Sequence, residues 1–377
     1  MKQLSSLLAI FALLLLISAC STDKQIREEW TARIHSIQAA YVPDRTLEVF
    51  DVQLNKQGSQ WLVQGETSKP AAKQAVLHLA DSLFGHSAYQ ENLRLLPDAS
   101  LGDSIYALVN LAVTPLRRQP RHAAEMVDQV ILGHQVKLLK QEKSWYLVQT
   151  EYGYLGWISG YAFARLNLSG LKAWTESPLA RVTALFTEIY RRPDVQAEAL
   201  ASAVLNVHLK LIKRGRKWSK VQLPAGDEGY IPTAHIAPFQ GNVDGQQLTA
   251  EAIIATAKRM LGIPYLWGGN SSVGNDCSGF TQTVFEANGL LLPRDARQQA
   301  IVGKKIVPEK DFSNVRPADL LFFGSGKNIT HVGISLGGYD FIHQDSDVHV
   351  NSFDSTAANY NKYRTRTLKK IMRIINR

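Results

Sequence analysis

The feature that most constrains this chain is an internal repeat. Arg118, Pro120, Glu125, Lys137-Leu138, Trp145 and Gly156-Trp157-Ile158 recur as Arg191, Pro193, Glu198, Lys210-Leu211, Trp218 and Gly229-Tyr230-Ile231, every match offset by 73 residues. Repetition at this period means one supersecondary unit used twice. Short alternating strands with tryptophans and glycine turns at that spacing predict two small β-barrels. Trp145 and Trp157 are expected to fill the first barrel, a ligand platform being the alternative.

Ahead of the repeat, Lys2 precedes an apolar run from Leu7 to Ile17 that ends in small residues before Cys20, the pattern of an export signal. Ile17-Ser18-Ala19-Cys20 resembles the bacterial lipoprotein cleavage box, which implies removal of 1–19 and a lipid on Cys20. That lipid would hold an otherwise soluble body at a membrane of the cell envelope, facing the periplasm. An ordinary secretory signal with a coincidental cysteine is the alternative. From 20 to 104 a polar tether leads into a small α+β domain. Its expected elements are a helix over 24–40, strands over Thr46–Leu54 and Gln60–Thr67 joined through Asn55-Lys56-Gln57-Gly58, a helix from Pro70 to Phe84 and a strand near Leu93–Leu96. It shows no chemistry, and His78 and His86 are read as surface residues. The barrels are assigned to 105–168 and 169–240. After a polar linker the last domain, 241–377, opens with an amphipathic helix over Leu248–Leu261 that Pro264 stops.

Only two cysteines occur in 377 residues. Lipidation would use Cys20, so Cys277 would be a solitary thiol in an oxidising compartment, where it must be buried or have a task. A net charge of +9 favours acidic surfaces such as wall polymers or headgroups. Nucleic acid is not expected as a partner of an exported protein, and oligomeric state is not legible.

Asp276-Cys277-Ser278-Gly279 precedes Phe280, Val284 and Ala287 at helical spacing, which puts Cys277 in the first turn of a helix. Unpaired N–H groups and the macrodipole there are expected to make the thiol acidic and to hold an oxyanion. Asp276 could be an N-cap alone. Further on, Thr330 to His343 reads as a hairpin with a histidine on each arm. A two-residue Gly337-Gly338 turn would point His331 and His343 to opposite faces, whereas a three-residue turn over Leu336–Gly338 sets His331 directly across from His343. The latter is expected, with Cys277 as nucleophile, His331 as base and His343 fixing the base. A zinc site on the same three residues is the alternative. His349 and the basic tail from Lys362 to Arg377 need no function, and the alternation around Leu368–Ile374 suits a final strand.

Tyr265, Trp267-Gly268-Gly269, Asp276-Cys277-Ser278-Gly279, Ala318-Asp319-Leu320-Leu321-Phe322-Phe323 and His331-Val332-Gly333-Ile334 together resemble the NlpC/P60 peptidases, over about residues 248–377. The repeats resemble bacterial SH3-like domains. The resemblance implies an α+β architecture: a papain-like catalytic domain preceded by two SH3-like β-barrels and the small N-terminal domain. It implies no cofactor and a murein peptide as substrate. The combination is similar to the γ-D-glutamyl-L-diamino-acid endopeptidases of wall-peptide recycling, which implies that a free N-terminal L-Ala is received by Glu125 and Tyr154 of the first repeat with Asp276 and Ser278. Paired carboxylates suit a cationic α-amine. Arg294-Asp295 also resembles a groove segment, with Arg294 holding a substrate carboxylate or making a surface ion pair. Tyr265 and Trp267 line the cleft or pack in the core. A noncatalytic wall-binding lipoprotein, or acyl transfer on the same fold, are the competing functions.

Overall fold

The computed structural model describes residues 23–86, 88–239, 241 and 248–375. Cys20 and the rest of the expected signal lie outside these residues. Among the described residues no helix is long and apolar enough to cross a membrane. Contacts divide the chain into two compact units between Ser100 and Leu101.

The first unit contains helix α1 over 23–41, the strands Phe50–Gln57 and Gln60–Thr67, helix α2 over Pro70–Phe84, and the strand Tyr89–Leu95. The first two strands pair antiparallel through a two-residue loop, Gly58-Ser59, so the first strand runs three residues further than Leu54. Gly58 takes φ +61°, which a tight hairpin loop requires. The third strand pairs parallel with the second, and α2 makes the crossover that parallel pairing needs. Pro70 opens α2, where its missing N–H costs nothing. Trp30, Ile34, Val63, Val76 and Leu79 meet in the core of this unit.

In the second unit the repeat becomes two seven-stranded sheets of identical strand order. The first uses Tyr106–Val109, Val113–Arg117, Met126–Ile131, Gln135–Glu142, Trp145–Thr150, Leu155–Ser159 and Phe163–Leu166, and each strand of the second copy begins 73 residues later. Each sheet has its own apolar core, Leu116, Val136, Leu138 and Ile158 in one and Ile189, Leu209, Val221 and Ile231 in the other. Trp145 and Trp157 are buried, but the first barrel's core is built from their strand neighbours Tyr146, Val148 and Ile158, so the two tryptophans sit on the other face of their strands and do not fill the barrel as expected. Helix α3, Leu168–Thr175, joins the copies; the Asn167 side chain caps it by accepting from Gly170 N–H. Its Trp174 packs between Leu108 and Leu179, one from each copy.

The remaining segment contains helices α4 (Ala250–Arg259), α5 (Cys277–Ala287), α6 (Ala296–Gln299) and α7 (Lys362–Thr367) with a six-stranded antiparallel sheet. The sheet order is Lys304–Ile306, Leu368–Arg373, Leu320–Ser325, Asn328–Gly337, Asp340–Gln344, Val348–Ser352. Phe280, Val284 and Phe285 of α5 pack on Val332, Ile334 and Ile342, so the catalytic candidates share one buried layer. The basic tail begins as α7 and only then becomes the expected strand, which lies inside the sheet.

Candidate active site

Helix α5 starts at Cys277 because Asp276 caps it, Oδ1 accepting from Gly279 N–H at 2.8 Å. Gly279 is required for contact: a Cβ there would lie 2.0 Å from the Gly269 carbonyl oxygen. The first turn therefore seats directly on the Gly268-Gly269 loop. Cys277 is 9% exposed, with the backbone N–H groups of Ser278 and Val332 at its sulfur. The Val332 contact sets the thiol beside the strand that carries His331.

The expected acidity of this thiol is corrected. Burial is the largest influence and the Asp276 carboxylate the second, and together they push the thiol up to about 12 against the two amides and Arg294. A helix terminus offers at most about 2 kcal/mol to a charge in its first turn, whereas desolvation of a buried anion costs several. His331 is also buried, and its pKa is held well below the ordinary imidazole range by desolvation, then by the charge of Arg364. At neutral pH the resting pair is thiol and neutral imidazole.

The hairpin corrects the second expectation. Gly337 pairs with Asp340 across the two-residue loop Gly338-Tyr339, and a bulge at Leu336 shifts the register so that Ser335 faces Phe341 and Gly333 faces His343. The turn is two residues long, one position later than read, and the bulge supplies the extra residue that restores a common face. His331 and His343 are thus diagonal rather than directly opposed. They still meet, His331 Nε2 lying 2.9 Å from His343 Nδ1. Gly333 makes this possible, since a Cβ there would lie 2.9 Å from the His343 Cβ. With no side chain at 333, the imidazole leans across toward His331.

Hydrogen bonds fix the tautomers. Asn361 Nδ2 donates to Asn351 Oδ1 at 2.7 Å, and Asn351 Nδ2 donates to the Asn359 carbonyl at 3.3 Å. His343 Nε2, 2.9 Å from Asn351 Oδ1, therefore carries the proton. Its Nδ1 is then an acceptor, His331 Nε2 is the donor, and His331 Nδ1 keeps its lone pair. That lone pair is the one a proton acceptor for Cys277 needs. Desolvation lowers His343 to about 4, which keeps this neutral arrangement across physiological pH.

A zinc grouping of Cys277, His331 and His343 is not formed. Among the described residues only His343, Asp345 and His349 bring three donor atoms within 4.8 Å of one another. Both His343 nitrogens are already bonded, and Arg364 lies 3.4 Å from Asp345.

Arg294 is neither a substrate ligand nor a surface ion pair. It is 2% exposed, and its five N–H groups are all engaged. Nε reaches Asp128 at 2.5 Å, one terminal nitrogen reaches Asp276 at 3.1 Å and Ser278 at 3.0 Å, and the other reaches Asp276 at 2.7 Å and the Gly269 carbonyl at 3.3 Å. Asp276 also accepts from Gly268 N–H and from the Ser278 hydroxyl. Asp276 and Ser278, expected as amine receptors, thus also form a brace that locks α5 to the first barrel. Asp128 is the residue sequence reasoning missed, together with Tyr152, Asn270 and Gln129, which continue the seam. The repeat held a signal for two of them: Asp128 and Tyr152 correspond to Ala201 and Ala225 in the second copy.

The rim brings together the other candidates. Glu125 accepts from Arg118 at 2.5 Å and from Trp267 Nε1 at 3.0 Å, and the Arg118 bond is the main reason its pKa is lowered. Trp267 is 63% exposed, which excludes core packing for it. Tyr154 is buried near Asp295, which pairs with Arg297 at 3.0 Å, and burial is the main reason the Tyr154 phenol is raised. Tyr265 is half-buried near Cys277 and Asp276, and burial followed by those two groups raises its phenol.

The NlpC/P60 family model matches residues 262–372, and the bacterial SH3 domain model matches 112–163. The chain is 31% identical over 226 residues to a gamma-D-glutamyl-L-lysine dipeptidyl-peptidase of Bacillus subtilis, covering 57% of this chain and 71% of that one. The chain belongs to the NlpC/P60 family. It is also 27% identical over 257 residues to dipeptidyl-peptidase 6 of Lysinibacillus sphaericus, covering 66% of this chain and 92% of that one. A crystal structure of an NlpC/P60 family protein from Bacillus cereus shares the fold at a TM-score of 0.63 and 22% identity, over 72% of this chain and 99% of that one. As an NlpC/P60 protein with SH3-like β domains, the chain is a hydrolase of the peptidase type.

Proposed function

We propose that this NlpC/P60 protein is a cysteine endopeptidase that cuts murein stem peptides at the γ-D-glutamyl-diaminopimelate bond when their N-terminal L-Ala is free. The supporting observation is the Glu125–Trp267 bond, through which the first barrel sets a carboxylate at the rim of the cleft. Asp276 and Ser278 are held by Arg294, while the carboxylates of Glu125 and Asp295, paired with Arg118 and Arg297, stand with Tyr154 at the rim, where they can accept from an ammonium as well. The similar Bacillus subtilis protein is named for a gamma-D-glutamyl-L-lysine bond, which shares the D-glutamyl side of the bond proposed here and differs in the diamino acid.

In the reaction, His331 Nδ1 takes the thiol proton as sulfur attacks the carbonyl carbon. The Ser278 and Val332 amides hold the charge developing on sulfur, and amides at the start of α5 are the donors for the oxyanion. His331 returns the proton to the leaving amine as the C–N bond breaks. Water then hydrolyses the thioester and regenerates the thiol. The same proposal keeps the lipid anchor at Cys20 and the envelope location read from the N-terminal sequence.

The test is incubation with L-Ala-γ-D-Glu-meso-diaminopimelate and its N-acetylated twin, read by mass spectrometry. Cleavage after D-Glu is expected for the free peptide, little for the blocked one, and none by Cys277→Ala. Equal turnover of both peptides removes the amine role of the rim, and retention without cleavage makes the protein a binder.

A further inference from the structure

A second cleft lies where the two barrels meet the C-terminal end of α5, and no step above uses it. Its volume is about 410 Å³, and Glu151, Trp174, Leu179, His208, Phe239 and Glu286 line it. Small-molecule sites occupy about 300–1,000 Å³, so the space suits an organic ligand rather than a bare ion.

Two observations point to an occupant. His208 is 8% exposed, and its Nε2 has no hydrogen-bond partner. Desolvation keeps that ring neutral, and its faces are stacked on His134 and Phe239, so the buried ring edge is the part left without a partner. The second observation is a surplus of carboxylate. His134 stands between the two glutamates, 3.9 Å from Glu151 and 3.6 Å from Glu286, too far for hydrogen bonds, and its Nε2 lies 2.9 Å from the Asn206 carbonyl. Arg181 donates to the backbone carbonyl of Glu286 and not to its carboxylate. Neutral amides supply the rest, Gln135 to Glu151 and Asn206 to Glu286. Glu151 is exposed at the mouth and Glu286 half-buried; desolvation raises both carboxyls above their ordinary range, for Glu286 against the positive charge of Arg181, and the end of α5 adds its own partial negative charge.

We propose that this cleft binds a small organic ammonium ion, with its charge between Glu151 and Glu286 and its carbon body against Trp174 and Phe239. The carboxylates select a cation, and the aromatic and aliphatic walls disfavour a hydrated metal ion. An ammonium N–H also gives His208 Nε2 the partner it lacks. This assignment does not rest on the reading of the active site.

The test is calorimetric titration of the full chain carrying Cys20→Ser, at pH 8, with 1,5-diaminopentane, L-lysine and the neutral isostere 1,5-pentanediol. Saturable binding of the two amines and none of the diol is expected, weakening tenfold or more in Glu151→Gln and tightening as pH rises from 5 to 8 while the carboxyls ionise. Thr175→Trp changes an exposed rim residue outside the buried network and should block entry, which keeps the test open if Glu151→Gln folds poorly. Amines that bind no better than the diol overturn the proposal. So does binding that survives both variants, or binding lost instead in Glu125→Gln, which would place the amine at the catalytic rim.

Discussion

The resting protonation state of Cys277 has a measurable signature. The thiol is pushed up to about 12 because burial and the Asp276 carboxylate oppose its ionisation more than the Ser278 and Val332 amides and Arg294 assist it. A raised thiol pKa depletes thiolate at every pH below it, leaving a fraction of ~10⁻⁵ at pH 7, against about 3% for a free cysteine. The perturbation is pH, and the assay is the pseudo-first-order rate of iodoacetamide alkylation of the Cys20→Ser chain, in which Cys277 is the remaining cysteine. The rate should climb about tenfold per pH unit, hundredfold from pH 7 to 9, with no plateau below about pH 10. A thiolate–imidazolium pair would give a flat, fast rate from about pH 5 to 8. A plateau of that kind would refute the reasoning and restore the acidic thiol expected from the helix terminus.

Substitutions at three positions probe the rest of the site. Gly333→Ala puts a methyl 2.9 Å from the His343 Cβ, an overpacking worth about 1–3 kcal/mol, and should lower kcat by about 10² with KM nearly unchanged; an unaltered kcat in a stably folded variant counts against the diagonal contact. Asn351→Leu removes the acceptor that fixes the His343 tautomer and should lower kcat/KM by about tenfold or more, whereas Asn351→Asp keeps an acceptor and should move the acid limb of the pH profile upward; equal profiles would discard the relay. Arg294→Met leaves Asp128 and Asp276 without their shared cation and should cost about 3–5 kcal/mol, seen as a lower Tm of the second unit; an unchanged Tm would show that the seam contributes little.

Local patterns carried the elements well. The 73-residue offset of the repeats reappears at the start of each strand, because both copies place the same turn and core residues in the same order. Asp276 caps α5 as its position beside Cys277 suggested, since an N-cap is set by a few adjacent residues. The common face of His331 and His343 was legible only from the roles given to the two rings, since the turn lengths open to the sequence put them on opposite faces or on the same one. The diagonal offset was not, because a bulge at Leu336 moves the turn without changing parity. Trp267 read equally as cleft or core, and only its place at the rim decides between them.

What the sequence by itself determined was the set of reactive residues and the elements that carry them, since caps, turns and periodicity are local properties of neighbouring side chains. What only the tertiary structure decided was their electrical state. Desolvation depends on everything packed around a group, and it turned an expected thiolate into a neutral thiol. It also depended on pairing across 166 positions of sequence for Arg294 to become a buried clamp on Asp128 rather than a substrate ligand. A charge's partner is fixed by proximity in space, which no local pattern records.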